Sequence, residues 1–294
     1  ALDAVAVIVN PSNPLNSLNV QDLARIFTGK VTYWNQVPSG RFDSPIQLFS
    51  RDERSGTYDT FRNTVLGGKR IDFTLPQIMK APDGSRGFEN SNELSGGVAS
   101  DLYGIGFVGF PYIGQSKALA MRSGSAREFS PNRITIRSGE YPLSRKLYFY
   151  VPENNVTPIA REFLAFTFSA EGQRVVERTE FVPLTPLEDE NAELCREKKV
   201  RYADARIPIA YKKLIRDFER HEIVLHFDKN RDDLDNLGFK DIDRLVADPR
   251  IENVDIRLIG FADPSGPDDQ NLRLSRGRAD FVKQALVNKG LRST

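Results

Sequence analysis

Cysteine, histidine and long apolar runs are nearly absent from this chain, and each shortage removes a class of function. The single cysteine, Cys195, cannot form an internal disulfide. Chains without disulfides occur in the cytosol and also in the periplasm, so the count decides neither compartment. Cys195 lies in the charged stretch AELCREKK and reads as an incidental free thiol. The two histidines, His221 and His226, have no cysteine or carboxylate grouping at metal-ligand spacing around them. No metal site and no cofactor are expected. There is no run of about 18 apolar residues, so no segment reads as a membrane-spanning helix. Nor is there an excess of either charge: 41 basic against 40 acidic residues give a formal net charge of +1. A nucleic-acid partner is therefore not expected, and any positive charge that matters must be local. The chain opens on the strand-like ALDAVAVIVN with no basic leader, so any secretion signal is expected to be cleaved or to lie upstream.

What is present is an α/β alternation. With 294 residues, 39% hydrophobic and 28% charged, the chain is long enough for two ordinary globular domains. Buried-strand runs are read at Val5–Val9, Ile46–Phe49, Gly104–Gly109 and Lys146–Val151. Helical patterns are read at Val20–Phe27, from Thr57 through Leu66, at Gly97–Leu102, Ala160–Phe168 and Gln173–Arg178. This alternation predicts a layered α/β domain over residues 1–186. Residues 187–221 are thick with charge and read as a linker or exposed helix. A second β-α-β-α pattern follows over 222–294, with strands at Ile223–Phe227 and Val254–Gly260 and helices at Leu234–Val246 and Leu274–Lys289.

The densest chemistry in the first domain is SRDERSGTYDTF. A strand ends near Phe49 and a helix begins near Thr57, so the loop sits at a strand's carboxyl end and a helix's amino end. Open α/β sheets bind ligands in that crevice. The unpaired amides of a first helical turn, together with the helix dipole, favour an anion. Gly56 lets the backbone approach a ligand, Ser55 and Thr57 add hydroxyl donors, and Arg51 supplies a fork matched to an oxyanion. The same residues also fit a plain N-capped helix on a solvated surface, and spacing alone leaves both readings open. Arg54 reads as a solvated charge.

The stretch R51-x-x-x-S55-G56-T57-x-x-x-F61 resembles the phosphate-contacting segment of the periplasmic phosphate-binding proteins that serve ABC transporters. Its surroundings resemble that family as well: DAVAVIVNPSNPLNSLNVQDLARIFTGKVTYWNQV ahead of it, GIGFVGF after it, and FSAEGQRVVERTEFVPL as a closing helix. The resemblance implies a two-lobed fold of type II that closes on a small anion, with Arg51, Ser55, Gly56 and Thr57 in contact with phosphate. It also implies that family members carry a further stretch ahead of Ala1. There lie a second helix-end contact and an acid that accepts from protonated phosphate, so the two-lobed domain is expected to be incomplete here.

The second module has its own constellation. A strand delivers Asp263 to a loop that turns at Gly266, and a helix follows with Asn271, Ser275 and Arg278. An acid and an arginine brought together this way can hold a zwitterion, or can form an ordinary loop-to-helix ion pair. The spacing G260-x-x-D263, then Gly266, then N271-x-x-L-S-x-x-R278-A resembles the OmpA-like peptidoglycan-binding domain, and so does the upstream LHF…LDNLGFKDIDRLV. That resemblance implies that Asp263 and Arg278 grip the diaminopimelate of a cell-wall stem peptide while Asn271 shapes the loop. Phe261 and Ala262 depart from the family's commoner polar pair. The family also continues into a further strand and an Arg-rich element, so the module is expected to be partial.

Neither constellation contains a nucleophile–base pair, so no enzyme is expected. The expectation is a periplasmic, peptidoglycan-associated protein of the cell envelope that captures phosphate or a similar oxyanion. It could hand it to an ABC transporter or work with an envelope protein. The alternative is a wall-tethered scaffold or sensor with a vestigial anion pocket and a protein partner.

Overall fold

An eight-residue run interrupted by one acid, LDAVAVIV, forms the central strand β1 (Leu2–Val9), and all eight of its residues are buried. The computed structural model describes residues 1–38, 40, 42–124, 127–152, 156–184, 207–218, 221, 223–225, 227, 230–234, 236–248, 251–262 and 266–291. The chain divides into two units, Ala1–Glu190 and Asn191–Thr294.

In the first unit β1 is flanked by short strands. After β2 (Ser17–Asn19) and β3 (Gln47–Phe49) comes β4 (Gly104–Gly109), the buried GIGFVG run. It pairs antiparallel with β1, from Val5 opposite Gly109 to Val9 opposite Ile105. The strand β3 adds to β4 in parallel. Two more strands, β5 (Lys117–Ala118) and β7 (Ser144–Lys146), pair antiparallel with β1. Between them in the chain, β6 (Ala120–Arg122) forms a separate parallel pair with β2.

Helices cover this mixed sheet. The first, α1 (Val20–Phe27), starts at Asn19, whose side chain accepts from the Gln21 N–H as an N-cap should. The second, α2 (Gly56–Thr64), is located by Phe61, which stacks on Phe107 of β4 at 3.9 Å and meets Phe27 of α1 edge-on at 4.9 Å. This aromatic cluster fixes the axis of the helix that follows the SGT loop. Next, α3 (Ser91–Ser100) packs Leu94 and Val98 into a second apolar cluster with Phe49 and Val108. Three further helices follow among the described residues of the unit: α4 (Arg133–Arg137), α5 (Pro158–Phe168) and α6 (Ala170–Arg178).

Two expectations need correcting here. The helix expected at Gly97–Leu102 begins six residues earlier, because Asn90 caps the Asn92 and Glu93 amides ahead of a polar first turn. The strand expected at Lys146–Val151 stops at Lys146. Leu147 still donates to the Ala1 carbonyl at 3.0 Å, but residues 148–151 have no ladder among the described residues. Aromatic and β-branched composition gives β-propensity, yet a strand needs a partner backbone. The result is an exposed apolar face: Tyr148, Phe149 and Tyr150, the last 93% exposed, with Ile159, Phe163, Phe166 and Phe168 of α5. Phe149 and Phe163 meet edge-on at 5.7 Å.

The second unit is built on α7 (Ile209–Ile215), α8 (Asn236–Val246) and α9 (Asp268–Asn288). Leu234, Ile242, Leu245, Ile251, Val282 and Leu286 form its core. The expected strands at Ile223–Phe227 and Val254–Gly260 show no ladder among the described residues. Ile223, Leu225, Phe227 and Leu258 nonetheless pack against the core. Their apolar side chains fit the pattern, whereas ladder formation requires backbone register that periodicity does not encode. The final helix starts six residues before Leu274, where Pro267 precedes Asp268 and Asp269 in a first turn suited to acids. Part of the expected linker is α7. Residues 187–206, with Cys195, and also His226, lie outside the described residues.

Candidate functional site

The chain leaves β3 through Ser50, which is fully buried, and exchanges bonds with the Phe88 segment. The Phe88 N–H donates to Ser50 and the Asp52 N–H donates to Phe88, at 2.9 and 3.0 Å. This bridge sets the direction of Arg51. Its Nε donates to the Phe88 carbonyl at 2.9 Å, Nη2 to the Glu89 carbonyl at 2.7 Å, and Nη1 to the Ser91 hydroxyl. A guanidinium has five N–H donors, so three acceptors orient this one and two donors remain. Arg51 forms no ion pair among the described residues. Burial pushes its pKa down from the ordinary arginine value, with Tyr112, Asp52 and Glu89 opposing. It stays protonated, a partly buried cation with Asp52 and Glu89 nearby but neither in ion-pair contact with it.

The loop then tightens into the helix. The Asp52 carboxylate accepts from the Arg54 backbone and from Arg54 Nε at 2.9 Å, and the hydrogen bonds from Arg54 hold it below the usual carboxylate range. Arg54 itself is turned to solvent. Ser55 caps α2: its Oγ accepts from the Thr57 N–H at 3.2 Å, which leaves its O–H as a donor. Thr57 is buried and its hydroxyl makes no bond to any described residue. At Gly56 a Cβ would meet nothing within 4 Å, so the backbone there is open to approach.

Arg51, Ser55 and Thr57 line a cleft of about 460 Å³ that also takes in Asp3, Glu89, Asn90, Ser91, Gly109, Tyr112, Arg145, Leu147 and Phe181, with Gly56 between two of its lining residues. It sits past the carboxyl ends of the parallel pair β3 and β4. The amino ends of α2 and α3 both reach it. Two helix amino ends, an unpaired arginine and two hydroxyl donors form a site suited to a compact anion. Among the described residues no group of His, Cys, Asp and Glu could hold a metal ion.

In the second unit, Arg278 of α9 donates from Nε to the Arg231 carbonyl at 2.9 Å and from Nη1 to the Phe261 carbonyl at 2.7 Å. Its guanidinium also lies 5.1 Å from the Phe227 ring centroid. Gly260 brings the 254–262 segment onto α9, since a Cβ there would overlap the Ser275 carbonyl oxygen. Asn271 Nδ2 donates to the Gly266 carbonyl at 3.4 Å, across the turn where Gly266 has φ of 134°. Asp263 lies outside the described residues.

A family model described as PBP superfamily domain matches residues 1–171, more than half of the chain. The chain belongs to the PBP superfamily. A second model, the OmpA family, matches residues 226–294. Protein SphX of Synechococcus elongatus is 35% identical over 196 residues, covering 63% of this chain and 54% of its own. The phosphate-binding protein PstS of Pseudomonas aeruginosa is 33% identical over 200 residues, covering 63% and 58%. The chain thus spans about half the length of the curated relatives it matches. The crystal structure of a possible phosphate binding protein from Planctomyces limnophilus aligns with a TM-score of 0.51 at 32% identity, covering 63% of this chain and 66% of that one. The α/β layering of the first unit is thus that of a PBP domain. The name of the Pseudomonas relative is that of a binding protein, the class expected from the sequence.

Within the PBP domain, Arg51, Ser55, Gly56 and Thr57 come together at one helix end. In the OmpA-family segment, Asn271 and Arg278 both lie on α9, Asn271 bonded to the Gly266 carbonyl and Arg278 to the Phe261 carbonyl. Sequence reasoning missed Asp3, Arg145 and the α3 amino end with Asn90 and Ser91. The signal for Asp3 was available as the one charge in an otherwise apolar strand, since an acid is almost never fully buried without a partner.

Proposed function

We propose that the PBP domain captures inorganic phosphate, or another tetrahedral oxyanion, at Arg51, Ser55, Gly56 and Thr57. The observation that carries this reading is Arg51: three acceptors orient it, burial partly desolvates it, and it makes no ion pair among the described residues. An oxyanion in the cleft supplies the missing charge while taking the free first-turn amides and the Ser55 and Thr57 hydroxyls. The OmpA-family segment would hold the protein to peptidoglycan without a covalent bond. Arg278, Asn271 and Asp263 would receive the diaminopimelate of the stem peptide. On this reading the protein works in the periplasm, passing its ligand to an ABC transporter or acting with an envelope protein.

Titration calorimetry with inorganic phosphate tests the first part. Loss of one charge-assisted hydrogen-bonding group costs about 1.5–3 kcal/mol. Arg51→Ala should therefore weaken binding roughly 10- to 100-fold. Unchanged affinity in that variant sinks the reading. Sedimentation with purified peptidoglycan tests the second part. The double variant Asp263→Ala, Arg278→Ala should stay in the supernatant, and pelleting like the parent overturns the tether.

One observation favours the alternative of a wall-bound scaffold or sensor, namely the exposed aromatic face of residues 148–151 and α5. Large exposed apolar patches mark surfaces that meet other polypeptides. A parent protein that ignores millimolar phosphate would select that reading.

A further inference from the structure

Arg145 lies directly opposite Asp3 in the β1–β7 register. Asp3 is only 2% exposed, and its Oδ2 accepts from Arg145 Nε at 3.0 Å and from Nη2 at 2.6 Å. The other oxygen, Oδ1, is buried and makes no hydrogen bond. The remaining guanidinium nitrogen points elsewhere: Nη1 donates to the Gly56 carbonyl at 2.8 Å and to the Thr60 hydroxyl. Thr60 Oγ1 in turn donates to the same Gly56 carbonyl at 2.9 Å. One side chain thus ties the central strand to the first turn of the helix that faces the cleft.

We propose that Arg145 is a positioning residue for the anion site, held by Asp3 and acting through Thr60 and the Gly56–Thr57 peptide. The inference rests on the phosphate reading above. Its physical content is twofold. The strut fixes the amino end of α2 against β1, so the first-turn amides meet the ligand without reordering. It also loads the Gly56 carbonyl with two side-chain donors, and polarising that carbonyl strengthens the N–H of the same peptide, on Thr57, in its cap bond to Ser55 Oγ, which fixes the Ser55 hydroxyl at the cleft. Arg145 does not act as a free cation, because both donors on one side of its fork are held by the Asp3 carboxylate. A lysine keeps the charge but presents one compact ammonium, so it cannot bridge Asp3 and Gly56 in the same geometry.

The test uses the whole chain and the variants Arg145→Lys, Thr60→Val and Thr60→Ser. Two measurements are made: phosphate affinity by calorimetry, and ligand-free amide hydrogen exchange in peptides covering residues 55–65. Arg145→Lys and Thr60→Val should both speed exchange in the first turn of α2 and weaken phosphate about tenfold, with Thr60→Ser restoring both. Unchanged exchange overturns the strut. Faster exchange with parent-like affinity leaves only a structural role and overturns the positioning claim. An Arg145→Lys variant that binds like the parent shows that charge alone suffices, and also refutes it. If the parent binds no phosphate, the phosphate reading falls, and exchange alone then decides whether the strut holds α2.

Discussion

Replacing Gly56 with alanine separates the anion site from the capped helix more cleanly than any charge removal. Gly56 opens α2, its φ is not in the left-handed region, and an added Cβ meets no atom within 4 Å. Alanine therefore fits without strain. A Gly→Ala change at a compatible site stabilises by about 0.4–1 kcal/mol, chiefly by restricting the unfolded chain. For a unit of this size that corresponds to a rise of roughly 1–4 °C in its melting temperature. The empty space beside Gly56 is, on the present reading, where the oxyanion approaches the backbone. A methyl group placed there keeps the ligand off at least one amide, a loss of about 1.5–3 kcal/mol for a bond to a charged acceptor. Phosphate affinity should then fall roughly 10- to 100-fold. The two effects have opposite signs, so a general loss of structure cannot imitate them. Scanning calorimetry reads the first and titration calorimetry the second. A Gly56→Ala protein that melts higher and binds phosphate like the parent would show that this helix end is only a cap.

Phe61→Ala should cost the PBP domain about 3–5 kcal/mol in denaturant unfolding, because it empties the centre of the Phe27–Phe61–Phe107 cluster. Arg54→Ala should leave phosphate affinity unchanged, since that side chain faces solvent, yet raise the Asp52 pKa part of the way toward the ordinary carboxylate value in an NMR titration, because the backbone hydrogen bond from residue 54 stays while the side-chain bond is lost. The sign for stability follows from the depressed value: the Asp52 contribution is full above about pH 4 and is lost as pH falls through its lower folded pKa. The variant should show a smaller loss of stability over that acid range. Gly260→Ala should disrupt the OmpA-family unit, because the new Cβ would overlap the Ser275 carbonyl, and circular dichroism should show reduced helix content.

The SGT loop was legible because its features are local: a buried run gives way to helical periodicity with cap residues between. The same holds for α1, where Asn19 caps the helix it precedes. Residues that act across the sheet were not legible. Asp3 and Arg145 lie 142 positions apart and meet only because β7 pairs with β1. Arg51 was read as a ligand fork, but the acceptors that orient it, Phe88, Glu89 and Ser91, come from a segment with no periodic signal. The openings of α3 and α9 were placed too late for one reason: polar first turns are fixed by capping and dipole, and an apolar count does not register them. The run KLYFYV failed in the opposite direction. Its composition favours a strand, and pairing among the described residues ends at Lys146.

That failure has a practical consequence. With Tyr148, Phe149 and Tyr150 beside Phe163 and Phe168 in solvent, the folded chain offers a ready surface to any apolar probe. A dye such as ANS, whose emission normally reports partly folded states, should already light up on the native protein. Dye-based melting curves would begin from a high baseline and flatten. Heat capacity and direct titration are for that reason the measurements on which stability and ligand affinity should be judged.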